Sequence, residues 1–195
     1  YDSLLAAKIV WNKWKVLAFE PSQKNYIKML ENIELNNFTN ITSYKLWVWD
    51  KDYEDEIMYN EHNPWKTSLV KMTENKNFEK ELIKIVKLDD FVTNTKIDFV
   101  KIDTEWFEFE AIKWMNNILQ SNENLKLIFE WSPYFYKSKT KNYKKYSISI
   151  LEYLEKLWYT LYKVWQNNIE IIIDFEKYYT NNSIQSDILW IKNEK

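Results

Sequence analysis

The sequence predicts an α/β fold, in one domain built around a mainly parallel sheet. Two observations support this prediction. Helical and strand-like segments alternate along the whole chain, with no low-complexity linker and no internal repeat. The 195 residues, of which 46% are hydrophobic, suffice for one core without disulfides or metal. We therefore expect residues 1–195 to form a single domain.

The first half of the chain alternates helices and strands and then becomes strand-rich. The predicted elements are a helix over 2–10, a strand over 15–19, a helix over 22–36, a strand over 41–48, and strands over 54–59 and 83–88 around a polar loop at 60–80. Ser22 is the predicted N-cap of the second helix. Tyr26, Leu30 and Ile33 recur at helical spacing, so we expect them on one face of that helix.

The second half continues the alternation. The predicted elements are a strand over 97–102, a helix over 105–119, a strand over 125–130, a helix over 147–157, and strands over 159–164, 169–175 and 187–192. Phe107, Ala111, Met115 and Ile118 fall at helical spacing, which predicts one continuous helix. The last two strands are expected to be antiparallel partners.

Composition argues against several kinds of site and partner. A net charge of -2 gives no overall attraction to nucleic acid or to an anionic membrane. With no cysteine, disulfides, thiolate metal sites and cysteine nucleophiles are impossible. The single histidine, His62, lies in a polar loop and is expected to be exposed. We predict a cytoplasmic protein without metal, nucleic-acid or membrane partners, and the sequence leaves its oligomeric state open.

Two residue counts are unusual together. Average usage predicts roughly 14 glycines in a chain of this length, yet it has none, and it has 11 tryptophans. Lys, Asn, Ile and Tyr, whose codons are A/T-rich, supply 83 of the 195 residues, and arginine is absent. An A/T-rich gene should be poor in glycine (GGN) and equally poor in tryptophan (UGG). The tryptophan surplus therefore contradicts the codon bias.

Several of these tryptophans fall in predicted turns or at helix ends, where a positive φ calls for glycine. They are Trp11, Trp14, Trp49, Trp65 and Trp158. We hypothesise that most of the tryptophans are glycines in the living protein, encoded by UGA in a lineage that reads UGA as glycine. The alternative is a protein that is truly rich in tryptophan.

Carboxylates follow two of the predicted strands. Glu20 ends the strand 15–19, where an acid in a nucleotide-binding βαβ unit receives the ribose hydroxyls. An acid that only caps the next helix fits equally well. Asp103 and Glu105 follow the strand 97–102, at the edge where open α/β sheets bind ligands, although they could also serve as helix-start acids. We expect Glu20 and Asp103 to share one sheet edge, which favours the functional interpretation.

Five blocks of the chain, in order, resemble the FkbM-type methyltransferases. They are Ala-Phe-Glu-Pro at 18–21, Asn-Ile-Glu-Leu-Asn at 32–36, Lys-Leu-Asp-Asp-Phe at 87–91, the block 97–108 and Glu-Trp-Ser-Pro at 130–133. The likeness covers nearly the whole chain and is most specific in block 97–108, where the family has glycine at the position of Trp106. Trp14, Trp114 and Trp158 also occupy glycine positions of the family pattern.

The resemblance implies a class I methyltransferase fold, a Rossmann-like three-layer sandwich whose mostly parallel sheet has an antiparallel C-terminal strand. Residues 4–8 look like the helix that follows the family's glycine-rich cofactor loop, so the first strand and that loop would be missing from this chain. It also implies S-adenosylmethionine as cofactor. The acceptor would be a hydroxyl of a sugar, a glycan or another small metabolite.

The resemblance also implies roles for individual residues. Glu20, together with Phe19, would hold the ribose of the cofactor, and Asp50 would lie near the adenine. Asp103, and Glu105 after it, would face the sulfonium and the acceptor, with Asp103 the first candidate to take the acceptor's proton. Two other interpretations stay open: another Rossmann-like nucleotide-binding enzyme, such as a dehydrogenase, and a truncated, non-catalytic scaffold.

Overall fold

The computed structural model describes residues 2–49, 52–60, 63–68, 78–93, 95–104, 107–138, 140–165, 168–181 and 186–193. The chain divides into two compact units, Tyr1–Leu88 and Asp89–Lys195. The expectation of a single domain stays a prediction.

The first unit contains two helices and two sheets. Its elements are α1 (Asp2–Val10), β1 (Val16–Phe19), α2 (Gln23–Leu35), β2 (Ile41–Tyr44), β3 (Trp47–Trp49), β4 (Tyr53–Asn60), β5 (Asn63–Ser68) and β6 (Phe78–Lys87). Strands β1 and β2 form a parallel pair. The second sheet has the order β3-β6-β4-β5 and is parallel only between β3 and β6. Trp47, Ile57, Ile83 and Ile85 form its buried cluster.

The second unit packs helices against one five-stranded sheet. A short helix, α3 (Leu88–Phe91), begins at the boundary and is followed by β7 (Phe99–Ile102), α4 (Glu108–Trp114), α5 (Asn116–Ser121), β8 (Lys126–Trp131), α6 (Tyr143–Lys156), β9 (Tyr159–Trp165), β10 (Asn168–Ile171), α7 (Phe175–Asn181) and β11 (Ser186–Lys192). The strand order is β10-β9-β11-β8-β7. Leu127, Phe129 and Trp131 of β8 are fully buried together with Leu151 of α6 and Trp190 of β11.

The predicted mixture of helices and strands is confirmed, and so is the antiparallel C-terminal strand β11. The prediction of a mostly parallel sheet is wrong for the described strands. Only β1–β2, β3–β6 and β7–β8 are parallel among the pairs they form. Short connections, such as the two residues between β9 and β10, allow only antiparallel hairpins.

Three predicted segments differ from the structure. The strand predicted over 41–48 is two strands, β2 and β3, which pair with different partners. The loop predicted over 60–80 contains β5 and the start of β6. The strand predicted over 169–175 ends at Ile171, and helix α7 begins at Phe175. The expected pairing of the last two strands is also wrong, because β9 lies between β10 and β11 in the sheet. Alternating polar and apolar residues did not reveal these boundaries because strand pairing depends on residues far away in the sequence.

The single helix predicted over 105–119 is two helices, α4 and α5, separated at Met115 (φ −106°, ψ 30°). Asp89 caps the start of α5, because its two carboxylate oxygens accept hydrogen bonds from the amides of Asn117 (2.9 Å) and Ile118 (3.0 Å). Lys192 caps its end by donating to the carbonyls of Leu119, Gln120 and Asn122. The sequence predicted one helix because Met115 and Ile118, on either side of the break, are both buried and keep the apolar spacing of a helix.

Two tryptophans occupy the left-handed backbone region that favours glycine. Trp11 has φ 48° and Trp158 has φ 68°, and their side chains are 63% and 67% exposed. Trp158 follows the C-cap Leu157 of α6, the position where helices most often end on glycine. A residue with a Cβ loses roughly 1–2 kcal/mol in this conformation.

The other tryptophans predicted at turns do not need glycine for their backbone. Trp14 is extended, with φ −140° and ψ 156°. Trp49 and Trp65 lie in strands β3 and β5, so their prediction as turn residues is wrong. The recoding hypothesis therefore gains support from the geometry of Trp11 and Trp158 alone.

No helix in the described part of the chain is both long enough and apolar enough to cross a membrane.

Replacing Trp158 with glycine should stabilise the protein by about 1 kcal/mol, because it removes the Cβ from a left-handed helix end and Trp158, at 67% exposure, contributes little burial. Urea denaturation of wild type and Trp158→Gly measures the difference. Trp131→Ala is the control, since emptying a fully buried site should cost about 3–5 kcal/mol. A loss of stability in Trp158→Gly would show that the indole contributes more than the strain it causes.

Candidate functional site

Glu20 stands at the carboxyl end of β1, where the sequence placed it. Its amide donates to the carbonyl of Tyr44 at 3.0 Å, which extends the β1–β2 ladder one residue beyond the strand. The preceding ring, Phe19, stacks on Tyr44 with centroids 5.2 Å apart. Backbone pairing and ring stacking therefore fix Phe19 and Glu20, two of the cofactor-binding candidates of this unit, relative to the sheet.

The carboxylate of Glu20 lies in a partly buried polar setting. Its Oε1 accepts a hydrogen bond from the amide of Ser22 at 3.0 Å. Burial raises the pKa of the Glu20 carboxyl, the hydrogen bonds from Ser22 and Asn25 oppose that rise, and the negative charge of Glu81 adds to it. A carboxylate has about four acceptor positions, so Glu20 retains capacity to accept from the hydroxyls of a ligand.

Glu81, on β6, caps the helix that follows Glu20. Both of its carboxylate oxygens accept from the amide of Gln23, at 2.9 Å each. Lys45 contributes a salt bridge of 2.8 Å to the same carboxylate. Ser22 occupies the N-cap position as predicted, but its side chain makes no capping hydrogen bond. The prediction of Ser22 as the N-cap residue is therefore confirmed, while the capping hydrogen bonds come from a carboxylate of another strand.

Asp103 directly follows β7 in the second unit. Its Oδ2 lies 3.3 Å from Nζ of Lys101, and the Asp103 side chain is 52% exposed. Residues two apart on a strand share one face, so this ion pair follows from the extended backbone. The β7–β8 register pairs Ile102 with Phe129, which puts Asp103 and Glu130 at the same end of adjacent parallel strands. Ser132 donates to Oε1 of Glu130 at 2.5 Å.

Glu108, the first residue of α4, is 2% exposed and contacts Thr104, the residue that follows Asp103. Its Oε1 accepts from the Thr104 amide at 3.1 Å and from the Thr104 hydroxyl at 3.2 Å. Its Oε2 lies 3.5 Å from the hydroxyl of Tyr136. The backbone on both sides of Asp103 is thus held, by β7 before it and by Glu108 after it.

Several predicted residues fall outside the described part of the chain. They are Asp50, His62, Glu105 and Trp106. Glu20 belongs to the first unit and Asp103 to the second, so their expected place at one sheet edge stays a prediction. Within the described residues, no group of three or more His, Cys, Asp or Glu side chains could hold a metal ion.

Sequence reasoning gave no role to Lys101, Glu108 or Tyr136. Tyr136 belongs to a lysine- and tyrosine-rich segment whose polar composition is typical of a solvated loop, yet its side chain is fully buried. Glu108 follows Thr104 by four residues in the block 97–108, and this spacing is the only feature of the sequence that indicates their contact.

The model of the FkbM methyltransferase domain matches residues 1–163 of the sequence. The chain belongs to the FkbM methyltransferase family. The resemblance drawn from the five sequence blocks is confirmed. No protein of curated function matches the sequence.

Two solved structures match this FkbM-family chain. Methyltransferase FkbM from Methylobacillus flagellatus KT matches with a TM-score of 0.52 and 16% identity, over 96% of this chain and 40% of that one. This chain therefore spans less than half the length of that protein. The Streptococcus mutans protein SMU.1697c, crystallised with SAH, matches with a TM-score of 0.44 and 13% identity, over 92% of this chain and 76% of that one. At 16% identity the first similarity shows a shared fold only.

Glu20→Gln should be more stable than wild type at neutral pH. Because burial raises the pKa of Glu20 in the folded state, folding favours its protonated form, and its ionisation lowers stability as the pH rises above the ordinary value of 4.5. Glutamine cannot ionise and keeps an oxygen for the Ser22 amide. The gain in Tm should disappear below pH 4.5, where Glu20 is protonated in both the folded and the unfolded state.

Calorimetric measurement of Tm for wild type and Glu20→Gln, at neutral pH and below pH 4.5, tests this prediction. Glu31→Gln, on an exposed position of α2, is the control and should leave Tm unchanged at both pH values. If Glu20→Gln melts below wild type at neutral pH, the folded protein stabilises the ionised carboxylate of Glu20, which would contradict the prediction.

Proposed function

We propose that the protein is an S-adenosylmethionine-dependent methyltransferase that transfers a methyl group to a hydroxyl of a sugar, a glycan or another small metabolite. Membership of the FkbM family supports the reaction class. The observation that carries the proposal is a carboxylate, Asp103, that is half exposed at the end of β7 and whose flanking backbone is anchored on both sides. A cysteine-free chain also suits the cytoplasm, which we propose as the location.

The cofactor-binding part of the proposal rests on Glu20. Its carboxylate follows β1, and it keeps acceptor capacity beyond the amide of Ser22. These features suit the two hydroxyls of a ribose. Phe19 and Asp50 complete the proposed contacts on the nucleoside. We further propose the Rossmann-like three-layer arrangement of the family.

In the proposed mechanism, the sulfonium of the bound cofactor supplies a methyl group that is already activated. The protein's task is then to align the acceptor oxygen and to accept its proton. Asp103 accepts the proton through a carboxylate oxygen, and Lys101 holds the carboxylate from the same strand face. Glu105 is the second proposed acidic group on this side.

A screen on the full-length protein tests the reaction. Calorimetry with S-adenosylhomocysteine measures cofactor binding, and methyl transfer is followed with a panel of methyl glycosides carrying free hydroxyls. Loss of charge-assisted hydrogen bonds in Glu20→Gln should weaken binding by about 10- to 100-fold. No binding by wild type would reject the methyltransferase proposal, and binding without transfer to any hydroxyl acceptor would favour a non-catalytic scaffold.

Asp103→Asn should lower kcat by about 10²- to 10⁴-fold, the range for loss of a general base, with little change in S-adenosylhomocysteine affinity. The chain offers a matched control in Asp98→Asn. Asp98 also pairs with a lysine two residues earlier, Lys96, at 3.1 Å, but it lies just before the amino end of β7. Equal effects of the two substitutions would remove Asp103 from its proposed role.

We also propose that glycine replaces tryptophan at Trp11 and Trp158 in the living protein, and at the family glycine positions Trp14, Trp106 and Trp114, by UGA recoding. The positive φ of Trp11 and Trp158 supports it. Peptide mass spectrometry of the protein isolated from its own cells should find glycine in these peptides, and tryptophan at every one would end the proposal.

A further inference from the structure

We propose that Glu108 is a positioning residue for methyl transfer: its buried carboxylate fixes the peptide plane between Asp103 and Thr104 and so sets where the Asp103 carboxylate points. This inference rests on the proposed function, and it adds a residue whose action is exerted through Asp103.

Glu108 is almost completely buried. A carboxylate that is 2% exposed loses its hydration and is kept in a folded protein only when hydrogen bonds replace the water. Two donors on Thr104, its amide and its hydroxyl, meet the same oxygen of Glu108 at 3.1 and 3.2 Å. Charge-assisted bonds of this kind are stronger than neutral ones.

Thr104 directly follows Asp103 in the chain. The Thr104 amide belongs to the same planar peptide group as the Asp103 carbonyl. A hydrogen bond to that amide therefore fixes the peptide on the carboxyl side of Asp103, while β7 fixes the backbone on its amino side. Since the Asp103 side chain is 52% exposed, its orientation depends on this backbone and on the ion pair with Lys101.

Glu108 also contacts Tyr136, a residue that follows the neighbouring strand β8. Tyr136 lies in the turn after β8, is fully buried, and places its hydroxyl 3.5 Å from Oε2 of Glu108. Its ring meets Tyr146 edge-on at 5.2 Å, which fixes its direction. Burial, and then the charge of Glu108, raise the pKa of Tyr136, so its hydroxyl keeps its proton. Glu108 thus contacts both Thr104, which follows β7 by two residues, and Tyr136, which follows β8.

A double-mutant cycle between Glu108 and Asp103 tests the inference. Glu108→Ala should lower kcat by up to about 10²-fold, the cost of a small misplacement, and leave S-adenosylhomocysteine affinity unchanged. In the Asp103→Asn background the same substitution should have no further effect on kcat, because the group it positions is gone. An equal loss of kcat in both backgrounds would overturn the inference.

Glu110→Gln is the matched control. Glu110 lies on the same helix and accepts from the hydroxyl of Tyr146 at 2.6 Å, but it has no hydrogen bond to Thr104 among those of the described residues. Its substitution should lower Tm and leave kcat unchanged. A loss of kcat in Glu110→Gln equal to that in Glu108→Ala would make the effect one of general stability and overturn the inference.

Glu108→Gln carries the test if Glu108→Ala does not fold. Glutamine keeps an oxygen for Thr104, so the Thr104 amide proton should still exchange slowly with solvent by NMR, and kcat should stay near wild type. Fast exchange with unchanged kcat, or slow exchange with kcat lost, would contradict a positioning role.

Failure of the proposed function gives a different pattern. Wild-type protein that transfers no methyl group rejects the methyltransferase proposal by itself. The positioning of Asp103 is then judged by NMR: the side-chain carboxyl resonance of Asp103 should shift in a folded Glu108 variant that loses slow exchange at Thr104, and an unchanged resonance would reject the inference independently.

Discussion

The start of α2 and both ends of α5 are held in this protein by acidic or basic side chains that arrive from distant elements. Glu81 of β6 accepts from the first turn of α2, and Asp89 of α3 accepts from the first turn of α5. Lys192 of β11 donates to the carbonyls at the end of α5. Every helix leaves such groups without an internal partner, and charged partners bind them more strongly than neutral caps do. A carboxylate also holds the backbone after Asp103, because Glu108 accepts from the amide of Thr104.

This dependence explains how much of the fold the sequence could predict. Apolar periodicity reports which residues are buried, so it found the succession of helices and strands and the strands that end at Glu20 and near Asp103. It could not find the break between α4 and α5, because the residues on both sides are buried and the cap, Asp89, comes from elsewhere. The candidate site divides in the same way. Asp103 was visible as an acid after a strand, whereas buried Tyr136 was hidden in a polar, lysine-rich segment.

The tryptophans separate into two groups by their surroundings. Trp131 is fully buried and its indole donates to the carbonyl of Ser147 at 3.1 Å, as a native core tryptophan would. Trp158 and Trp11 are exposed in a backbone region that penalises any side chain. Trp47 and Trp190 fall between these cases, since they are buried but their indole nitrogens have no hydrogen-bond partner among the described residues. The exchange of glycine for tryptophan is therefore a question for each position, and composition alone treats all eleven alike.

Family membership and local geometry make separate contributions to the functional account. The FkbM match supports the reaction class, while the positions of Glu20 after β1 and Asp103 after β7 support particular roles within it. A crystal structure of the full-length protein with S-adenosylhomocysteine tests the account most directly. The account predicts both ribose hydroxyls within about 3.2 Å of the Glu20 carboxylate. A nucleoside bound without contact to Glu20 would contradict it.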